Sequence, residues 1–183
     1  LKVNLSDEDG INKLIDFTLK HKPMNIVYLP GYVDQVSLFS NSINSIHKSF
    51  NINLFAFWLL ISESTSYMKA KNYGRFLSIS SIGSKFGGGK NKFNYTTSKK
   101  LLEFFPRDLK DLAKDNILVN NIICGATDSP IFYTKKEEDI KERIDKIPIK
   151  RLATANEIAI ICYRLCSMEN TFQTLSNTTI AGG

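Results

Sequence analysis

Histidine, tryptophan and cysteine are scarce in this chain, with two, one and three copies in 183 residues. His21 and His47 lie far apart and no Cys-x-x-Cys occurs, so the spacing offers no zinc site and no metal is expected. An odd number of cysteines predicts free thiols in a reducing compartment, hence a cytoplasmic protein. Cys162 and Cys166 share one helical face, as two small core residues would. Long apolar runs are also missing: the most apolar stretch, Leu54 to Ile61, is far too short to span a membrane. No secretory or transit signal is visible. The formal charge is +6 and the pI about 9.2, yet the lysines are scattered and no nucleic-acid motif accompanies them. That pattern predicts a solvated, lysine-rich surface with no nucleic-acid partner, leaving attraction for phosphorylated cofactors or acidic proteins. With 43% hydrophobic and 23% charged residues, the chain is long enough for one well-buried domain over 1–183.

What is present alternates between strand-like and helix-like segments, as a parallel sheet with crossover helices requires. Ser6-Asp7-Glu8-Asp9 reads as a capping box before a helix whose stripe is Ile11, Leu14, Ile15 and Leu19. Short buried strands are expected at Asn25 to Leu29, Arg75 to Ser81, Ile117 to Gly125 and Asn177 to Ile180. A long helix is expected from about Asn41 to Lys71, with Asn53 inside it and Gly74 serving as its left-handed cap. A second helix should run toward Lys114, bent or interrupted by Pro106. Gly87-Gly88-Gly89 lacks a following Gly-Lys-Ser/Thr and reads as a cleft rim, not a phosphate cradle. Thr154-Ala155-Asn156-Glu157 forms a capping box for a last helix.

Chemistry gathers around Tyr95 and Lys99. Four-residue spacing on a helix puts the phenol and the ammonium on one face, where a cation favours phenolate and makes tyrosine an acid/base catalyst. Ser81 closes a strand 14 residues earlier, and Asn53 sits in the preceding long helix. In this order the chain resembles the short-chain dehydrogenase/reductase family, and is similar to its 3-oxoacyl-[acyl-carrier-protein] reductase-like members. The resemblance rests on Ile79-Ser80-Ser81-Ile82-Gly83, Tyr95 to Lys99, Val119-Asn120-Asn121-Ile122-Ile123-Cys124-Gly125, Pro148 to Ala159 and Ala181-Gly182-Gly183.

This resemblance implies an α/β fold: a Rossmann-like, doubly wound parallel sheet in three α/β/α layers, lacking its first strands. It implies an NAD(P)-dependent oxidoreductase interconverting a carbonyl and an alcohol by hydride transfer. Tyr95 would be the general acid/base, Ser81 would hold the substrate oxygen, Lys99 would lower the phenol pKa and bind ribose, and Asn53 would anchor a relay water. NAD or NADP would be held by Asn4, Leu5, Gly31, Tyr95, Lys99, Gly125, Thr127 and Ser129. Residues Ile131 to Ile147 take the place of a substrate lid. The implied partners are a small carbonyl or alcohol substrate and further copies of the chain, in a homodimer or homotetramer.

The chain also departs from the family. The Thr-Gly-x-x-x-Gly-x-Gly turn for the cofactor pyrophosphate is absent, and Leu1 to Asp7 resembles the end of a third strand with Asn4 in place of an acid. One βαβ unit takes 30 or more residues, so a segment on the order of 60 residues is expected to precede Leu1. The 183 residues alone are expected to be inactive, poorly soluble and unable to bind a dinucleotide, with strand Asn25 to Leu29 exposed as an apolar edge. Tyr28-Leu29-Pro30-Gly31 stands where the family has Asn-Asn-Ala-Gly, and Cys124 where it has proline. These departures leave a second expectation: a non-catalytic relative, or remnant, that binds without turnover.

Overall fold

The computed structural model describes residues 1–130 and 137–183. Four parallel strands form one sheet in chain order: β1 (Asn25–Tyr28), β2 (Gly74–Ser81), β3 (Ile117–Cys124) and β4 (Ser176–Ile180). Register is set by Tyr28 opposite Ser78, Ser81 opposite Cys124 and Cys124 opposite Ile180. Strands β2 and β3 are buried along nearly their whole length, as strands covered on both faces must be. All four expected strands are present. Among the described residues strand β1 pairs with β2 alone, at the edge of the sheet, with Val27 38% and Leu29 65% exposed.

Residues Leu1 to Asp7 form no strand, contrary to the expectation from sequence. Their polar groups close a local turn instead: the Asn4 amide donates to Asp7 (3.0 Å), and the Ser6 amide donates to Asn4 Oδ1 (3.1 Å). Helix α1 (Glu8–His21) then begins at Asp7, not Ser6, because the Asp7 carboxylate accepts from the Gly10 amide at 2.9 Å. Glu8 and Asp9 in the first turn and Lys20 and His21 in the last complement the helix dipole.

The long helix comes as three pieces: α2 (Ile43–Phe50), a π-helical turn (Asn51–Phe55) and α3 (Ala56–Ala70). Widening the helix releases carbonyls from the usual ladder, and the Tyr28 phenol donates to that of Ile52. At its end Asn72 takes the left-handed conformation (φ 50°), not Gly74. Gly74 is needed for room, since a Cβ there would lie 2.5 Å from Met68 Sδ. Helix α4 (Phe93–Leu101) stops before Pro106, and Arg107–Asp115 continues as a 3₁₀ helix. Helices α5 (Glu137–Asp145) and α6 (Ala155–Cys166) follow, the latter opened by the expected Thr154–Glu157 capping box. Of the expected lid, residues 131–136 lie outside the described residues.

Side chains alternate across the sheet and divide the core in two. Phe76, Ile117 and Val119 pack with Ile11, Leu54, Phe57, Leu60 and Leu102 on one face. Leu77 and Ile122 pack with Leu165 and Cys166 on the other, joined by Cys162 and Cys124. The sheet is therefore covered on both faces.

Candidate active site

Ser81 ends β2 at the carboxyl edge of the sheet, and its hydroxyl accepts from the Gly83 amide at 3.3 Å. The turn after it is anchored from below. Ser84 donates to the Ser81 carbonyl at 2.6 Å and also contacts the carboxylate of Glu103, whose side chain is only 7% exposed. Glu103 Oε2 in turn accepts from Lys100 at 2.7 Å.

Helix α4 brings Tyr95 and Lys99 to the same rim. Burial holds the Tyr95 phenol above its ordinary pKa, partly offset by a hydrogen bond with the Ser81 side chain. Nearby, the Cys124 thiol raises it and the Arg143 guanidinium lowers it. Lys99 is 4% exposed, and its ammonium donates to the carbonyls of Pro30 (3.0 Å) and Ile79 (2.8 Å). Burial pulls its pKa down to about 8. The expected lowering of the phenol by Lys99 is thus replaced by a rise, because burial of the phenol dominates while the ammonium is directed at two carbonyls.

Asn53 is fully buried within the π turn. Its carboxamide accepts from the Tyr32 amide (2.7 Å) and donates to the Tyr32 carbonyl (3.0 Å) and the Ser98 hydroxyl (2.9 Å). Ser98 passes the connection on by donating to the Tyr95 carbonyl at 2.9 Å. The structure therefore joins Asn53 to the α4 pair through Ser98, one residue before Lys99.

The opposite wall is the exit from β3. A Cβ on Gly125 would stand 2.7 Å from Ala181 Cα, so glycine is required where the chain leaves the sheet. The Thr127 hydroxyl lies 3.2 Å from Cys124 Sγ, and Ser129 is half-buried beyond it. Cys124 occupies the position of the expected proline; burial pushes its thiol up, against the pull of Thr127 and Lys99.

These residues fit the nicotinamide and ribose end of a dinucleotide. Two of the three Lys99 N–H bonds meet carbonyls, and the exposed Gly31 lies beside the ammonium, where a Cβ would sit 3.8 Å from Nζ. Asn4 is not drawn to this rim, its amide being used in the turn before α1. Leu5 lines an apolar groove of about 480 Å³ beside β1 that extends to Pro30. Asp34 and Glu103 beside this site were missed by sequence reasoning: an acid in an irregular loop carries no local signal, and the main partner of Asp34 is 60 positions away.

Residues 1–183 match the family described as Enoyl-(Acyl carrier protein) reductase. The chain is 28% identical over 170 residues to the 3-oxoacyl-[acyl-carrier-protein] reductase FabG of Aquifex aeolicus, covering 91% of this chain and 68% of that protein. It is 28% identical over 142 residues to a 2-dehydro-3-deoxy-L-rhamnonate dehydrogenase (NAD(+)) of Sphingomonas, covering 77% of this chain and 57% of that one. Among solved structures, a 3-oxoacyl (acyl-carrier-protein) reductase of Agrobacterium tumefaciens C58 with NADP bound superposes with a TM-score of 0.87 at 20% identity. That match covers 98% of this chain and 71% of the other.

Proposed function

We propose, for a chain that belongs to the short-chain dehydrogenase/reductase family, that it is an oxidoreductase interconverting a carbonyl and an alcohol with Tyr95 as general acid/base. The observation that carries this reading is the convergence at the carboxyl edge of the Tyr95 phenol and the Ser81 hydroxyl, near enough for Ser81 to pull the phenol pKa down, with the Lys99 ammonium buried one helical turn away. In the reducing direction a buried, protonated phenol is the proton donor, and its raised pKa keeps that proton in place until an oxygen beside it gains negative charge. Ser81 holds the same oxygen; its hydroxyl is preset by the Gly83 amide. Asn53 and Ser98 fix the backbone under Tyr95.

NAD or NADP, when bound, supplies or accepts the hydride. Lys99, Tyr95, Gly31, Gly125, Thr127 and Ser129 would hold its nicotinamide and ribose. Leu5 is assigned to the adenosine side, since Leu5 and Pro30 share one groove, whereas Asn4 would reach the cofactor only by giving up its bond to Asp7. The NAD(+) and NADP named for the two dehydrogenase and reductase relatives support this choice of cofactor. A small carbonyl or alcohol is the substrate, and dimers or tetramers are the expected assembly.

Binding without turnover is the second reading. It is favoured by the exit from β1, where Leu29 is 65% exposed in place of the family's amide side chains. The deciding experiment compares wild type and Tyr95→Phe, carrying the full coding sequence, on a carbonyl panel with NADH and NADPH. Turnover should fall by about 10²- to 10⁴-fold in the variant, while cofactor affinity and folding stay nearly unchanged. Turnover unaffected by Tyr95→Phe rejects the acid/base assignment, and cofactor binding with no wild-type turnover selects the second reading.

A further inference from the structure

Residues 30–36 run from the end of β1 past the catalytic groups without regular structure, and every second residue is tied either to one of those groups or to the first turn of α4. The Pro30 carbonyl accepts from Lys99. Tyr32 exchanges two backbone hydrogen bonds with the Asn53 carboxamide. Asp34 accepts from the Asn94 side chain at 2.6 Å, and the Val36 carbonyl accepts from the Phe93 amide at 3.2 Å. The last two ties hold the first turn of α4, a helix whose N-cap Lys92 makes no side-chain cap bond. A nine-residue helix that lacks its own cap takes its starting point from whatever grips that turn.

Asp34 is the strongest grip. It is 5% exposed, and its Oδ2 gathers three donors: Asn94 Nδ2, Ser49 Oγ at 3.0 Å and Ser45 Oγ at 3.1 Å. Asn94 is fully buried and completes its valence in a reciprocal amide pair with Asn41. The other oxygen, Oδ1, is buried without a hydrogen-bond partner among the described residues. A buried acid with one oxygen unsatisfied is a costly way to join a loop to two helices, and it demands an explanation beyond filling space.

We propose that residues 30–36 are a strap, anchored by the buried Asp34, that sets the position of Tyr95 and Lys99, making Asp34 a positioning residue for the acid/base pair. Its catalytic consequence rests on the oxidoreductase reading above; the strap itself does not. Asn94 adjoins Tyr95 in the chain, so the Asp34–Asn94 bond fixes the start of α4, while Pro30, four residues before Asp34, fixes the ammonium one turn further on.

The test reads the strap without relying on turnover. Acylation by acetic anhydride at pH 8.5, followed residue by residue by mass spectrometry, compares Lys99 with exposed Lys100 in the chain carrying its full coding sequence. In wild type Lys99 should react at least about tenfold more slowly than Lys100, through burial; in Asp34→Ala it should come within about twofold of it. Asp34→Asn should retain wild-type protection, because a carboxamide oxygen accepts the same three donors. Wild-type protection of Lys99 in Asp34→Ala overturns the proposal, as does an Asp34→Asn variant that behaves like Asp34→Ala. Should Asp34→Ala fail to fold by circular dichroism, Ser49→Ala carries the test: faster acylation at Lys99 alone supports the strap, and an unchanged pattern rejects it. In an active enzyme, Asp34→Ala should lower kcat by about 100-fold with KM little changed, the scale of a misplacement of about 1 Å. Selective protection with no wild-type turnover would reject the oxidoreductase reading alone, and turnover indifferent to Asp34→Ala would reject the positioning role alone.

Discussion

The two walls of the cleft are built in different ways. On the α4 side, Asn53, Asn94, Ser98, Lys99 and Asp34 are each no more than 5% exposed, and their hydrogen bonds run between side chains and backbone of distant segments. On the β3 side, the half-buried Gly125, Thr127 and Ser129 follow a strand end held mainly by backbone bonds, Gly125 to Ile180 and Asp128 to Ala153. A group that must move a proton within a fraction of an ångström needs the first kind of wall. A surface that admits substrate and cofactor tolerates the second, and low local stability is a usual property of such surfaces.

The largest expected difference between the walls is in stability. Asn53→Ala leaves the Tyr32 amide and carbonyl without their partner and opens a cavity in the π turn, so unfolding free energy should fall by about 4 kcal/mol, counting roughly 2 for each stranded group. Thr127→Val on the other wall removes a hydroxyl bonded to Cys124 and Gly125, and should cost about 1 kcal/mol. Chemical denaturation of both variants measures the contrast. Equal losses would erase the distinction between the walls.

Next comes the buried amine. Unfolded, Lys99 keeps its proton up to its ordinary pKa of 10.5; folded, only up to about 8. Between those values the unfolded chain binds more protons, so this residue makes stability rise with pH, by an amount that approaches about 3 kcal/mol at the upper end. Below pH 8 both forms are protonated and its contribution is flat. The thiols of Cys124, Cys162 and Cys166, all pushed up by burial, act in the opposite sense from about pH 9, because the folded chain then holds protons that the unfolded chain releases. The lysine is therefore isolated as the difference between wild type and Lys99→Met across pH 8 to 10. A wild-type curve parallel to that of Lys99→Met would show the ammonium to be solvated.

Much of this was legible in the sequence, and the pattern of what was not is physical. Strand β2 and its terminal Ser81, the Tyr95–Lys99 spacing and the Thr154–Glu157 box are local, readable within ten residues. Asn53 was legible as an oddity, a poor helix former inside a long apolar helix, and the π turn is the structure's answer to it. Asp34, Glu103 and Arg75 were not legible. Each is a charged residue buried by partners far away in sequence: Asn94 for Asp34, Ser84 for Glu103, and the Asn116 and Asn170 carbonyls for Arg75. Composition counts such residues as solvated surface, and only the assembled fold shows otherwise. The N-terminal misreading has the same origin. Leu1 to Asp7 has a strand-like start, but Asn4 and Asp7 satisfy each other and the α1 amides before any strand can form.

The smallest effect is expected on the β3 side, where the α6 cap meets the cleft. Thr154 Oγ1 accepts from the Glu157 amide at 3.2 Å, while Glu157 accepts from the Thr154 amide at 2.8 Å and pairs with Arg151 at 2.7 Å. Hydrogen bonding to the Arg151 side chain, then to the Thr154 backbone amide and hydroxyl, pulls the Glu157 carboxyl down to about 2, so the cap is charged near neutral pH. Thr154→Ala removes one reciprocal bond of an exposed cap and should lower stability by about 1 kcal/mol. The neighbouring Ala153 is bridged to Thr127, which ties this cap to the β3 wall. If the walls are independent, the loss in Thr154→Ala adds to that of Asn53→Ala within about 0.5 kcal/mol, and the Lys99-dependent rise between pH 8 and 10 is unchanged. Non-additivity in the double variant, or a flattened rise, would mean that the cap reaches Tyr95 and Lys99 through Thr127 and Cys124, and that the cleft is one mechanical unit after all.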